Sequence, residues 1–388
     1  MPWQASNDLA SLPLQSVVEM ARFEDSRQVW GCQVPPERLV TLCIVNYQGL
    51  QHLPKALIAA TRSSLAFGEI LVVDNASSDG SVSWLRREYP DIRVLGLDAN
   101  LGPAGARNAG FAAALHDLIL FQDNDVQLDA KCAEALVETL AASAHALLVA
   151  PRVLYADDSA LVQYDSADCH FLGLMTTRNA NLPVRTLPTA ALATTSLVTA
   201  CFLIDRGRWS HGVLFDEWFG FNYEDHDFGV RANVQGYELL VAPAARALHG
   251  SGTANLSYRS GGAVSKQRVF YLIRNRWCIL TKSFAARSLL VLAPILACYE
   301  LFQLAGAARN GWLDQWTAAL RSWWNELPRL RVERRAVQST RRTGDRLILK
   351  GGPLPLTVAV GTGRVPRLAI RLLQGLANGY WRLARRFL

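Results

Sequence analysis

Between Leu39 and Asp123 the chain alternates short apolar runs with helix-like stretches, and each run hands over to a polar residue at its end. The runs are Leu39–Val45, Glu69–Val73, Ile92–Leu95 and Leu118–Gln122, and the helical pattern falls on Ser81–Glu88 and Ala104–Ala114. Consecutive strands separated by helices are joined by crossovers, which predicts a mostly parallel sheet with helices on both faces. Ligands of such sheets collect at the carboxyl edge, where loop amides and helix N-termini converge. Asn46, Asp74, Asn100 and Asp123 all fall on that edge.

Asp129–Ala142 continues as a helix, after which Val149–Val198 turns irregular, with acceptor-side loops and antiparallel strands expected there. Leu197–Ile204 reads as another buried strand, Trp218–Phe228 as a loop entering a helix, and Glu238–Ala242 as a strand that precedes His249 by a short turn. The 388 residues divide on this reading into an N-terminal extension (1–37), a catalytic α/β domain (38–285) and a basic, partly hydrophobic helical region (286–388).

The charge is unevenly spread. From Arg309 onward sixteen Lys and Arg face four Asp and Glu, a balance of +12 within an overall +7, which leaves the body of the chain mildly acidic at −5. A basic tail points to an anionic partner, here a membrane surface rather than nucleic acid, unless it is only a solvated helical face. Ser288–Ala308 has the length to span a bilayer, yet it contains Pro294 and Glu300. A single crossing would put the basic tail on the far side from the catalytic body, so an in-plane helix fits best, with a spanning or a buried core helix as the alternatives. The seven cysteines show no close pairing, and the N-terminus lacks a basic segment followed by an apolar run. Both features lead to the expectation of reduced thiols and a cytoplasm-facing active site.

Three clusters carry the chemistry. Asp123-Asn124-Asp125 sets two carboxylates one residue apart at a strand end, an arrangement that can hold a hard divalent cation beside a diphosphate. Tyr223-Glu224-Asp225-His226-Asp227 supplies three acids within four residues, either as a general base toward a hydroxyl or as favourable charges at a helix N-terminus. His249, before Gly250-Ser251-Gly252, either completes a metal site or serves the structure. The loop Asn100–Gly110 lacks the Gly-Lys-Ser/Thr ending of a Walker loop and the dinucleotide fingerprint. Its Arg107 faces phosphate in one reading and packs the helix in the other.

Taken in order, Val45-Asn46-Tyr47-Gln48-Gly49, Val72–Gly80, Asn100-Leu101-Gly102, Ala106–Gly110, Asp123-Asn124-Asp125 and Glu224–Asp227 resemble the family 2 glycosyltransferases of the GT-A fold, in particular the bacterial rhamnosyltransferase-like members. The resemblance covers about 39–284. It implies that Asn46 and Asp74 hold the nucleotide base, that Asp123 lies near ribose, and that Tyr47, Asn100, Arg107 and Asn124 join the nucleotide-sugar-binding set. It further implies that Asp125, with Asp123 and His249, binds Mg2+ or Mn2+, that Asp225 is the base, and that Glu224 or Asp227 orients base or acceptor.

The implied reaction is a metal-dependent, inverting transfer from a nucleotide-sugar, dTDP-rhamnose or a UDP-sugar, to a lipid-linked or cell-envelope saccharide. Its expected place is the cytoplasmic face of the bacterial inner membrane, with the enzyme peripheral or anchored in plane. Processive relatives carry a Gln-x-x-Arg-Trp motif, whereas Ile273-Arg274-Asn275-Arg276-Trp277 lacks the Gln, so one sugar is added at a time. Arg274 and Arg276 either touch phosphate or lipid or form structural salt bridges. The rival readings are a sugar nucleotidyltransferase, which the missing Gly-rich basic loop after the first strand disfavours, and a catalytically retired scaffold.

Overall fold

A computed structural model describes residues 39–250, 265–354 and 364–388. The expected extension over 1–37 lies outside the described residues. The first half follows the alternation in the sequence: β1 (Val40–Asn46), α1 (Leu53–Thr61), β2 (Glu69–Asp74), α2 (Ser81–Glu88), β3 (Arg93–Gly96), α3 (Gly102–Ala113) and β4 (Leu118–Asp123). β1 pairs in parallel with both β2 and β4, and β2 with β3, giving the spatial order β3-β2-β1-β4. The strand order reverses between β1 and β4, and the crevice above such a reversal is where open α/β sheets bind ligands.

The apolar runs are continuous because both sheet faces are covered. Val40, Leu42 and Ile44 of β1 enter one core, while Cys43 enters the other with Leu71, Val73, Ile119 and Phe121, as period-two side-chain alternation requires. α3 lies close on the second face because residue 110 is glycine: a Cβ there would stand 2.6 Å from Cys43 Sγ. The six cysteines within the described residues are free thiols.

Beyond β4 come β5 (Val126–Leu128), α4 (Cys132–Ala141), β6 (Ala146–Tyr155), β7 (Val162–Tyr164), β8 (Ala167–His170), β9 (Met175–Thr177), β10 (Leu192–Thr194), β11 (Cys201–Asp205), α5 (Glu224–Val234) and β12 (Glu238–His249). β11 enters antiparallel between β4 and β6, so the ten-stranded sheet is mixed, with parallel pairing on both sides of it, in β3-β2-β1-β4 and in β6-β12. The sequence reading stopped the last strand at Ala242 and put a turn before His249. β12 instead runs through, with a register shift between Ala242 and Arg246. Pro243, which reads as a strand breaker, sits in that irregularity, where a missing N–H is tolerated.

The C-terminal part is α6 (Lys266–Ser283), α7 (Ala286–Asn310), α8 (Leu313–Asn325), α9 (Leu327–Ser339), a short α10 (Asp345–Ile348), β13 (Leu349–Lys350) and α11 (Arg364–Ala384). β13 pairs in parallel with β8 to complete a small sheet with β9. One core joins Phe171, Phe219, Tyr223 and Val230 to Ile279, Leu292, Ile295, Leu330 and Trp381. The helical region from 286 is therefore packed back onto the α/β body, and the core crosses the expected boundary at 285/286.

Arg274 and Arg276 belong to this packing. Arg276 is fully buried, donates to Leu172 O at 2.6 Å and pairs with Glu300. Arg274 donates to Phe219 O at 2.7 Å and lies 3.9 Å from the Trp218 ring centre. Arg276 thus forms a structural salt bridge, while Arg274 is held by backbone carbonyls and an aromatic ring.

Candidate active site

The β1 and β2 ends meet in register at Asn46 and Asp74. Asn46 Nδ2 donates to Asp74 Oδ1 at 2.7 Å, and Asn46 Oδ1 accepts from Asn124 Nδ2 at 2.9 Å, so one buried amide links three strand ends. A Cβ at position 49 would fall 2.0 Å from Asn124 Nδ2 and 2.2 Å from Asn46 Oδ1. This explains the glycine that closes Val45–Gly49. Asp74 Oδ2 accepts from Ser77 N at 2.9 Å, and Tyr47 lies half-buried beside this group.

Asn75, to which no role was assigned from sequence, ties β2 to the loop before α3. Its amide donates to Asn100 Oδ1 at 2.9 Å and accepts from Leu101 N at 2.8 Å. Arg107 turns inward: it is buried and donates to Asp123 Oδ1 at 2.5 Å and to Thr199 O at 3.2 Å. Of its two readings, packing describes it, with the addition that it fixes the Asp123 carboxylate. Asn108, from the same motif, binds α3 to the 215–217 loop through Phe215 O and Glu217 Oε1, both at 2.9 Å.

Asp123, Asp125 and His249 come together, each offering one ligand atom, all within 4.8 Å of one another. β5 makes this possible: His249 pairs with Val126 across the β12–β5 ladder, and Gly250 N donates to Asp125 O at 3.0 Å. His249 Nδ1 lies 2.8 Å from Gln163 Oε1, an atom that can only accept, so Nδ1 is the donor. Nε2 is thereby turned toward Asp125 Oδ1 at 3.4 Å. A ring nitrogen and two carboxylates gathered this closely fit a shared divalent cation, and the hydrogen bond at Nδ1 is the support that metal-binding imidazoles need.

Gln163 carried no recognisable signal in the sequence. It sits on β7, which the buried fork from Arg152 to Asp165 anchors at 2.8 and 2.7 Å.

The second acidic cluster opens α5. Asn222 (φ 62°) and Tyr223 (φ 69°) both adopt left-handed backbone, uncommon for non-glycine residues and typical of functional turns. Burial raises the Glu224 carboxyl, and the neighbouring Asp225 charge raises it further. Burial also raises Asp225, against the opposing effects of the His226 amide, 2.7 Å away, and Arg107. Both acids feel the charges of Arg107 and Asp123, so the helix acids and the strand-end acids share one region of the sheet edge.

Asp227 differs. It is fully buried, ion-paired to Arg231 at 2.7 Å and to Lys282 at 2.9 Å, and orients the helix rather than an acceptor. His226 points inward to Ser196 at 2.7 Å, and burial pushes it down to about 4. Lys282 of α6, itself buried, also reaches Asp216 at 3.2 Å and Glu333 of α9 at 3.4 Å, which links the C-terminal helices to α5.

An α/β sheet whose strand ends gather a metal-type triad, faced by raised carboxyls at a helix start, is an arrangement of the GT-A fold. Residues 41–202 match the family described as Glycosyl transferase family 2. Over those residues the chain is similar to a family 2 glycosyltransferase domain.

It is similar to an uncharacterised glycosyltransferase of Nostoc (36% identity, 22% of this chain and 28% of that one). It is also similar to the succinoglycan biosynthesis protein ExoO of Rhizobium meliloti (35%, covering 22% and 25%). The N-acetylglucosaminyl-diphospho-decaprenol L-rhamnosyltransferase of Mycobacterium tuberculosis matches more extensively, at 26% identity over 53% of this chain and 74% of that one. The first two matches thus span about a quarter of those relatives. Among solved structures, GalNAc-T7 with UDP, GalNAc and Mn2+ shares the fold at a TM-score of 0.52 and 13% identity, over 66% of this chain and 49% of that one.

Proposed function

We propose that this protein transfers a single sugar, with inversion, from a nucleotide-sugar to a hydroxyl of a lipid-linked or cell-envelope saccharide. The observation that carries the reading is the convergence of Asp123, Asp125 and His249 with Glu224 and Asp225 at one edge of the sheet. Asn46 and Asp74 hold the nucleotide base, and Tyr47, Asn100 and Asn124 complete the donor side. Arg107 acts through Asp123 by holding its carboxylate. Asp123, Asp125 and His249 would hold Mg2+ or Mn2+, which when bound neutralises the charge of the departing diphosphate.

Asp225 takes the proton of the incoming hydroxyl, whose oxygen attacks the anomeric carbon as the bond to the diphosphate breaks on the opposite side. A carboxyl raised by burial is suited to this task, since general bases work best with values near the operating pH. Glu224 orients Asp225 or the acceptor.

dTDP-rhamnose is the leading donor and a UDP-sugar the alternative, a choice supported by similarity to the mycobacterial rhamnosyltransferase. The enzyme acts at the cytoplasmic face of a bacterial inner membrane. Nucleoside diphosphate release, measured over a panel of sugar nucleotides with divalent cation and a polyprenyl-diphosphate saccharide, is expected for one donor class. Silence from every donor refutes the reading.

A further inference from the structure

Between Ser288 and Arg309 α7 is apolar except for Glu300 and Gln303 and long enough to cross a bilayer, yet it is only partly covered by protein. One face, Leu292, Ile295, Leu296 and Tyr299, is buried in the core that also holds Phe219 and Tyr223 beside the candidate base. The opposite face leaves Leu290 (77% exposed) and Leu301 (68%) in the open, with Ala293, Pro294 and Ala297 between them. Its one internal charge, Glu300, is tied to Arg276.

α11 repeats this division beside it, joined through Tyr380 Oη to Val291 O at 2.5 Å. Leu373, Ala377 and Trp381 are buried, and Trp381 stacks on Phe171 with ring centres 4.8 Å apart. At 3.6 residues per turn, Leu368, Leu372, Leu376 and Leu383 form a second stripe, 55% to 66% exposed, that Phe387 extends past the helix. Arg371 and Arg382 flank that stripe, with Arg385 and Arg386 at its end, all exposed. Residues 364–388 contain six arginines and no acid. Leucine stripes left in water cost free energy, and contiguous apolar patches on a soluble surface mark contact sites. Arginines bordering such a stripe, in a segment that contains no acid, match a surface that is apolar inside and anionic at its headgroups.

We propose that the paired outer faces of α7 and α11 dock in the plane of an anionic lipid bilayer. The proposal rests on the transfer reading above and specifies the surface that brings a lipid-linked acceptor to it. α7 lies along the membrane rather than through it, because a crossing would strip Leu292, Ile295 and Tyr299 from the core and leave the Arg276–Glu300 pair without its surroundings. Phe219 and Tyr223 lie in the same core as both helices, so docking fixes the start of α5 relative to the headgroups.

The test is co-sedimentation of the full chain with phosphatidylglycerol-containing vesicles and with pure phosphatidylcholine vesicles, at low and high salt. Binding is expected to anionic vesicles and to weaken with salt. Arg382→Ala/Arg385→Ala/Arg386→Ala should lower partitioning roughly a hundredfold, at about fivefold per arginine. Leu372→Glu/Leu376→Glu should lower it by about a hundredfold or more. Both variants keep their turnover on a water-soluble acceptor.

Unchanged partitioning of the variants overturns the proposal, as does equal, salt-independent binding to neutral vesicles. Retention of the protein in membranes through an alkaline carbonate wash overturns the in-plane placement. A dimer dissolved by Leu372→Glu/Leu376→Glu, without vesicle binding, assigns the face to a second copy and also overturns it. Loss of transfer with every donor while vesicle binding persists refutes the function and leaves this surface standing.

Discussion

Replacing Lys282 by Met tests whether the C-terminal helices hold the acid-bearing helix in place. Lys282 is buried and its ammonium lies 2.9 Å from Asp227, 3.2 Å from Asp216 and 3.4 Å from Glu333. Met fills nearly the same volume, so the change removes charge more than packing. Asp216 retains Arg329 at 3.3 Å, and Glu333 retains the same guanidinium. Asp227 keeps Arg231 on one oxygen and loses the Lys282 ammonium from the other.

Breaking a buried pair costs about 3 to 5 kcal/mol, and with one carboxylate oxygen stranded the lower end applies, about 3 kcal/mol. Urea denaturation of wild type and Lys282→Met measures the difference, and Lys282→Met/Asp227→Asn should recover part of it because the stranded charge is gone. A loss under about 1 kcal/mol, within the range of ordinary substitutions, would refute the reasoning. pH supplies an independent check. Burial works to raise the Asp216 carboxyl, but Lys282 and Arg329 outweigh it and hold the group below its ordinary value. That stabilisation is present above the unfolded carboxylate value and is lost as pH falls through the lower folded one. The gap between the two proteins should therefore narrow in acid.

Asp125→Ala should abolish divalent-dependent donor binding by calorimetry, and undiminished binding would reject the metal assignment. Gln163→Leu removes the hydrogen bond behind His249 and should weaken Mn2+ affinity about 10- to 100-fold, read from the paramagnetic spectrum of free Mn2+. An unchanged affinity means His249 is no ligand. Asp225→Asn should end transfer while leaving donor affinity nearly intact; retained turnover would move the base to Glu224. Because burial raises Asp225 and the base acts deprotonated, the acidic limb of turnover should lie above the ordinary carboxylate range, with activity lost as pH falls through it. A limb within the ordinary range would dismiss Asp225.

The alternation of apolar runs and helices was enough to read β1 to β4, α2 and α3 to within a residue or two, because strands buried on both sheet faces show as short apolar runs set between longer helical stretches. The edge carrying Asn46, Asp74 and Asp123 followed from the same pattern, since in a parallel sheet every strand ends on the same side. Asp123-Asn124-Asp125 and Glu224-Asp225 were legible as acids, and their motif order pointed to the family.

What the chain itself could not disclose depends on contacts between distant segments. The strand at Glu238–Ala242 read as ending before His249, and the neighbouring β6 and β5 ladders carry β12 on through Pro243. Gln163 matters because β7 brings it beneath His249, 86 positions away. Arg107 and Asp227, plausible as ligand contacts by residue type, are themselves buried and held in ion pairs, since an unpaired charge in that interior costs several kcal/mol, of order 3 to 5. The basic helical tail was visible as charge and hydropathy. Which of its faces meets the core and which meets water was decided by Phe171, Tyr223 and Leu292 packing against it, a choice among surfaces that local sequence leaves open.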